Sequence, residues 1–375
     1  MFTYLENLLK LAHGDKTLDP RLAVYYVTMQ CNLNCAYCED FGSRRNHLVT
    51  HNPSFEDAKK ILSVIRSGVD RLWLTGGEPL MVPYLADLLS YARNDLRFKE
   101  ISLITNGTLL SNVIARSGAT RHDEAISSLS GRLLRAKEQR PRNDMVSFLD
   151  RLIISLDSID PQALNSVSVP EAYAETVIAN AREAASLQKS HSFELIVNAV
   201  ITPETLPGMK KLLAFCTEHG IHISFSPQSV NNLPRYELVT SAEYRAFIEK
   251  VVRLKKQGAP ILGSYSYFKT LLDQTPYECY PTLVPRIMPD GWLAYPCRPM
   301  EKAGGEQGGR AVNLLSVETW DEAWKIARKR YGDAPTACVS CFQQCYAEPS
   351  LMQARPLEYL AERLRGVDVS LYAPG

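Results

Sequence analysis

Residues 22–38 read LAVYYVTMQCNLNCAYC, an apolar run that gives way at Met29-Gln30 to three closely spaced cysteines. The run is β-branched and aromatic with almost no polar interruption, the pattern of a parallel strand covered on both faces. Cys31, Cys35 and Cys38 follow at C-x3-C-x2-C spacing, which places them on the loop leaving the C-terminal end of that strand.

Outward from this point, similar runs recur at 70–75 (DRLWLT), 100–105 (EISLIT), 151–157 (RLIISLD), 193–201 (FELIVNAVI) and 221–227 (IHISFSP). Helical patterns separate them, for example 53–67 after Asn52-Pro53 and 204–219 before Gly220. Six strand-plus-helix units predict a parallel α/β barrel or partial barrel, with functional residues at the C-terminal strand ends. Periodicity alone also allows an open doubly wound sheet, but no G-x-G-x-x-G follows any of these strands. The connection 107–150 is longer than one barrel helix needs, and its basic part 131–142 reads as a solvated helix or lid. After about residue 260 the alternation stops and Gly, Pro and Cys become frequent, marking a smaller, metal-stapled region. The expected division is an N-terminal helical segment (1–19), the barrel (20–260), a cysteine-rich domain (261–350), and a C-terminal helix and tail (351–375).

Composition excludes several classes. The 375 residues are 45% hydrophobic and 22% charged with a net charge of +1, so no global field draws nucleic acid or an anionic membrane. The N-terminal MFTYLENLLKLAHGDK has no basic start and is interrupted by Glu6, Asn7 and Lys10, unlike a signal peptide. No apolar stretch approaches the roughly 20 residues that span a bilayer. The expected location is the cytoplasm, where nine cysteines read as metal ligands or redox groups rather than disulfides.

Three thiolates on one short loop can hold three irons of a [4Fe–4S] cube and leave the fourth iron open to a reactant. Zinc is the competing occupant, with His47 or His51 as a fourth ligand, and spacing alone does not separate the two.

The loop, with Tyr37 before its last cysteine, resembles the signature of the radical S-adenosylmethionine (SAM) superfamily. The likeness continues strand by strand. Gly76-Gly77-Glu78-Pro79 at the second strand end is similar to the superfamily's GGEP motif, whose backbone and Glu hold the SAM amino group. Asn106 after the third strand, Ser155 and Asp157 after the fourth and Asn198 in the fifth resemble the positions that contact ribose or adenosine. The resemblance covers roughly residues 20–230. It implies a partial (β/α)6 TIM-like barrel in which reductive cleavage of SAM gives a 5′-deoxyadenosyl radical that abstracts hydrogen from the substrate. It also implies a flavodoxin- or ferredoxin-type reductant.

Five further cysteines follow: Cys279, Cys297, Cys338, Cys341 and Cys345. Their pattern is similar to the C-terminal extensions called SPASM and twitch domains, and their number suits the shorter twitch-like form with one auxiliary [4Fe–4S] cluster. Cys279, Cys297, Cys338 and Cys341 are the expected ligands, with Cys345 as the alternative; a structural zinc site also fits the spacing. Cys216, within a helical stretch, reads as a core residue.

Glu39, Asp40 and Arg44 follow the first cluster closely enough to face the pocket, although loop capping and surface ion pairs explain them equally well. Ser226 and Gln228 sit where a barrel enzyme places substrate contacts. Tyr295 and Arg298 flank Cys297 and are placed to tune an auxiliary cluster by hydrogen bonding. Cys31 lies so near the start that no cobalamin- or leader-peptide-binding domain is expected upstream. Two enzymatic readings follow: oxidation, rearrangement or coupling of a small molecule (sugar, cyclitol, nucleotide or lipid precursor), or modification of a peptide as in SPASM-type maturases. A non-enzymatic zinc-stapled protein would explain the cysteines but not the GGEP loop.

Overall fold

The computed structural model describes residues 2–38, 40–42, 52–111, 142–188, 190–334, 341–365 and 370–372. Six strands occupy the six apolar runs: β1 (Ala23–Thr28), β2 (Arg71–Gly76), β3 (Glu100–Thr105), β4 (Arg151–Ser155), β5 (Glu194–Ile201) and β6 (His222–Pro227). Each pairs in parallel with the next. Helices cover the outer face and begin and end at recognisable caps. Ser54 forms a capping box with Asp57 at the start of Phe55–Arg66, and Met209–His219 stops at Gly220 in the left-handed conformation, φ 65°.

After β6 a hairpin of β7 (Ser229–Val230) and β8 (Leu233–Pro234) turns through Asn231 and Asn232, both with positive φ, a conformation that Asn tolerates better than most residues. β9 (Ile261–Leu262) then pairs with β6. β10 (Arg286–Ile287) lies parallel to β1, and β11 (Trp292–Tyr295) and β12 (Gly309–Asn313) continue from it antiparallel. The result is one ten-stranded sheet in the order β12-β11-β10-β1-β2-β3-β4-β5-β6-β9. The division expected at residue 260 is therefore no break in the sheet, because the cysteine-rich region adds strands to both ends of the parallel run. Of the 107–150 connection, residues 112–141 lie outside the described residues, so the expected lid does too.

Two apolar cores result from strand alternation. Ala23, Tyr25, Leu72, Leu74, Leu152 and Ile154 face the helices. Val24, Tyr26, Trp73, Ile153, Ile196 and Leu262 face inward and are capped by Tyr280, Leu283, Met288, Leu371 and Tyr372. At the N-terminal strand ends a ladder of alternating charge crosses the sheet. Arg71 meets Glu100 (2.9 Å), Arg151 meets Glu100 (3.2 Å) and Glu194 (2.8 Å), and His222 meets Glu194 (3.0 Å). The same arginines hold the tail: Arg71 donates to the Tyr372 carbonyl (3.1 Å) and Arg151 to that of Leu371 (3.2 Å). Among the described residues no helix is long and apolar enough to cross a membrane.

Candidate active site

The loop leaving β1 carries Cys31, Cys35 and Cys38 to the C-terminal ends of the parallel strands, and the end of β2 braces it. The Gly77 N–H donates to the Thr28 carbonyl (2.9 Å) and the Glu78 N–H to that of Gln30 (2.7 Å). This approach explains both glycines. A Cβ on Gly76 would stand 2.2 Å from the Thr28 oxygen, and one on Gly77 2.0 Å from the Gln30 oxygen.

Glu78 is fully enclosed. Its carboxylate accepts from the Leu80 N–H (2.9 Å), the Thr105 hydroxyl (2.7 Å) and the Asn106 N–H (2.7 Å). The resemblance implies that this side chain holds the SAM amino group. Three protein donors reach the carboxylate, which braces the β2 loop against the β3 loop. Burial pushes Glu78 up to about 7 against those three hydrogen bonds. Asn106 passes the brace on, donating from Nδ2 to the Asn32 side chain (2.9 Å) and to Cys31 Sγ (3.8 Å).

On the other side, the Tyr37 hydroxyl donates to Asp157, which also accepts the Val200 N–H (2.8 Å) and so ties the cysteine loop to β5. Burial raises Asp157 to about 6. The Leu33 N–H donates to Cys31 Sγ (3.4 Å) and the Phe41 N–H to Cys38 Sγ (3.3 Å). Burial raises the Cys35 thiol to about 12, and the Asp157 carboxylate and the other two thiols add to it; burial raises Cys31 as well. These observations fit a cluster. The thiols sit on one loop with N–H groups aimed at two of the sulfurs, and iron would draw off protons that burial otherwise holds. Each cysteine sulfur would bind a different iron of a cube, so the three need not converge on one point. Among the described residues no three Cys, His, Asp or Glu groups do converge as a single-ion site requires.

A cavity of about 320 Å³ opens beside this loop, between the strand ends and the C-terminal region. Of the residues matched to SAM contacts, Tyr37 and Asn198 line it, whereas Gly76, Gly77, Glu78, Pro79, Asn106, Ser155 and Asp157 do not. The Asn198 Oδ1 is buried with no partner among the described residues, an acceptor open to a ligand. Asp40, Ser226, Gln228 and Arg298 also line the cavity. Asp40 pairs with Arg298 (3.3 Å) and Lys302 (3.0 Å), which joins the cysteine loop to the helix Arg298–Ala303 that Cys297 caps. Glu39, Arg44, His47, His51 and Cys338 lie outside the described residues. Tyr295 does not reach the cavity; it packs on Trp324 and Tyr331 and donates to the Gly332 carbonyl (2.9 Å).

None of the eight described cysteines forms a disulfide. Cys279 accepts from the Ser350 hydroxyl (3.9 Å), and Arg298, next to Cys297, donates its N–H to the Tyr346 hydroxyl (3.0 Å). Cys341 is buried and Cys345 lines the cavity. Residues that sequence reading missed share that wall: Tyr26, Arg286, Lys302, Gln343, Gln344 and Tyr372. They come from β1, from β10, from the helix Arg298–Ala303 and from segments nearer the C-terminus. No spacing relates them until β10 pairs with β1.

Comparison with known proteins agrees with this geometry. The profile described as "Radical SAM superfamily" matches residues 25–197. A probable GTP 3′,8-cyclase of Methanococcus aeolicus is 24% identical over 284 residues, 72% of this chain and 83% of that protein. The GTP 3′,8-cyclase of Acidothermus cellulolyticus is 29% identical over 204 residues, 52% of this chain but 47% of that protein. Among solved structures, Streptococcus suis SuiB bound to S-adenosylmethionine superposes with a TM-score of 0.56 at 19% identity, covering 84% of this chain and 68% of SuiB. The structure of anSMEcpe with bound AdoMet superposes with a TM-score of 0.55 at 16% identity, covering 93% and 98%. The matched profile, with the cysteine loop and the braced GGEP turn, shows that residues 25–197 form a radical SAM domain and that this chain is an iron–sulfur, SAM-dependent enzyme.

Proposed function

We propose that the enzyme removes a hydrogen atom from a small molecule held in the cavity between the strand ends and the C-terminal region, and so oxidises, rearranges or couples it. The observation that carries this reading is the position of the cavity. Tyr37 of the cysteine loop and Asn198 line it together with Arg286, Arg298 and Lys302. When bound, the cluster and SAM supply the one-electron chemistry. The protein's own residues position the cysteine loop through Glu78, Asn106 and Asp157, and enclose the reacting groups beneath the C-terminal segment.

The relatives named as GTP 3′,8-cyclases favour a nucleotide among the small molecules. The polar lining, rich in amides (Asn198, Gln228, Asn232, Gln343, Gln344), disfavours a lipid precursor. In this reading Cys279, Cys297 and Cys341, with Cys338 or Cys345, hold one auxiliary [4Fe–4S] cluster, and a flavodoxin- or ferredoxin-type protein of the cytoplasm supplies electrons. The test uses anaerobic, cluster-reconstituted protein with SAM and dithionite. It is given the small-molecule or the peptide fraction of an extract from cells grown in deuterated medium. Deuterium in 5′-deoxyadenosine from the small-molecule fraction is the expected result; deuterium only from the peptide fraction would replace this reading with the peptide-modifying one.

A further inference from the structure

Arg286 enters the cavity from β10, flanked by two aromatic faces. Its guanidinium carbon lies 5.7 Å from the Tyr26 ring centre and 5.4 Å from that of Tyr346. It donates from Nη1 to the Tyr26 hydroxyl (3.1 Å) and from Nε to the Tyr346 hydroxyl (3.2 Å). A guanidinium has five N–H donors, and those two bonds leave the others to face the cavity that the side chain lines. Among the described residues no carboxylate pairs with Arg286. The single lining carboxylate among the described residues, Asp40, is shared by Arg298 and Lys302. Arg298 adds a second sign of an absent ligand, since its Nε is buried without a partner among the described residues.

Arg286 is half-buried, hydrogen-bonded to two tyrosine hydroxyls and close to Cys345, and a cation so withdrawn from water gains from an anion that joins it. Two ring faces also fix the orientation of the guanidinium, which suits it to fork-like contact with an oxyanion. We propose that Arg286 is the anion-binding centre of this cavity, assisted by Arg298, and that the substrate carries a phosphate or carboxylate seated there. This rests on the reading of the cavity as the substrate pocket. It places the reacting carbon toward Tyr37 and the charged end toward the C-terminal region.

The experiment is calorimetric titration of SAM-saturated, cluster-reconstituted protein with inorganic phosphate, pyrophosphate and malonate, without reductant, so that no turnover occurs. Binding should weaken about tenfold or more in Arg286→Gln and stay unchanged in Lys325→Gln, an exposed position on the helix Trp320–Tyr331. Arg286→Lys keeps the charge but loses the fork, and should fall between the two; it carries the test if the glutamine variant fails to fold. Tighter binding of the phosphates names a phosphorylated substrate, and tighter binding of malonate a carboxylate. No binding of any probe, or equal binding in folded Arg286 variants, would overturn the assignment. That failure is distinct from a failure of the small-molecule reading, which is decided by the source of deuterium and not by anion affinity.

Discussion

The buried carboxylate of Glu78 accepts the backbone N–H of Asn106 at 2.7 Å, and the side chain of Asn106 in turn reaches Cys31 Sγ at 3.8 Å. One acidic side chain thereby links the second and third strand ends to the first cysteine.

Glu78→Ala would leave the Leu80 N–H, the Thr105 hydroxyl and the Asn106 N–H without their acceptor. The expected loss is about 3 kcal/mol or more by denaturant unfolding, since each unsatisfied buried donor costs about 1–3 kcal/mol. Iron content after reconstitution should fall with it. A variant as stable as the parent would show that the brace is dispensable.

Gly77→Ala forces a methyl group to within 2.0 Å of the Gln30 oxygen, so the β2 loop must withdraw from the cysteine loop. We expect a stability loss of roughly 2–4 kcal/mol. Reduced 5′-deoxyadenosine formation should accompany it, and wild-type melting with full SAM cleavage would be the contrary result.

Cys35→Ala would remove the middle of the three thiols proposed to hold the first cluster. SAM cleavage should drop to background while about half of roughly eight irons per chain remain in the C-terminal region, by the stoichiometry of two cubes. Retained cleavage would refute the assignment of Cys31, Cys35 and Cys38.

The six long strands were legible because each is an uninterrupted apolar run; β3 coincides with residues 100–105, and β2 is displaced by one residue from 70–75. β9 to β12 were not. They are two to five residues long, and β10 finds its partner β1 across the length of the barrel, so that Arg286 meets Tyr26 over 260 residues of sequence. The site divides in the same way. Cys31, Cys35, Cys38 and the GGEP turn are local motifs, and spacing exposes them. The cavity-lining Arg286, Lys302 and Tyr372 are ordinary polar and aromatic residues until β10 pairs with β1.

Glu348 offers a pH test away from the cysteine loop of β1. It is fully buried, accepts from the Ser264 N–H (2.7 Å) and Gln344 (3.0 Å), and burial raises it to about 7 from an ordinary 4.5. The folded chain therefore binds this proton more tightly than the unfolded chain. Its contribution to stability is complete below about pH 4.5, falls as pH rises and is gone above about 7. Glu348→Gln should flatten that fall, shifting the difference from wild type in the variant's favour by on the order of 3 kcal/mol between pH 4.5 and 8. Parallel pH curves for the two proteins would contradict the shift.

The inward core has a consequence for the order in which this protein is made. Val24, Tyr26, Trp73, Ile153 and Ile196 are all synthesised before their covers, Tyr280 to Met288 and Leu371-Tyr372, leave the ribosome. Until then these inward side chains lack the residues that cover them in the finished fold. Ribosome-bound chains halted before residue 280 should accordingly be cut by protease within β1 to β5, and chains released whole should resist.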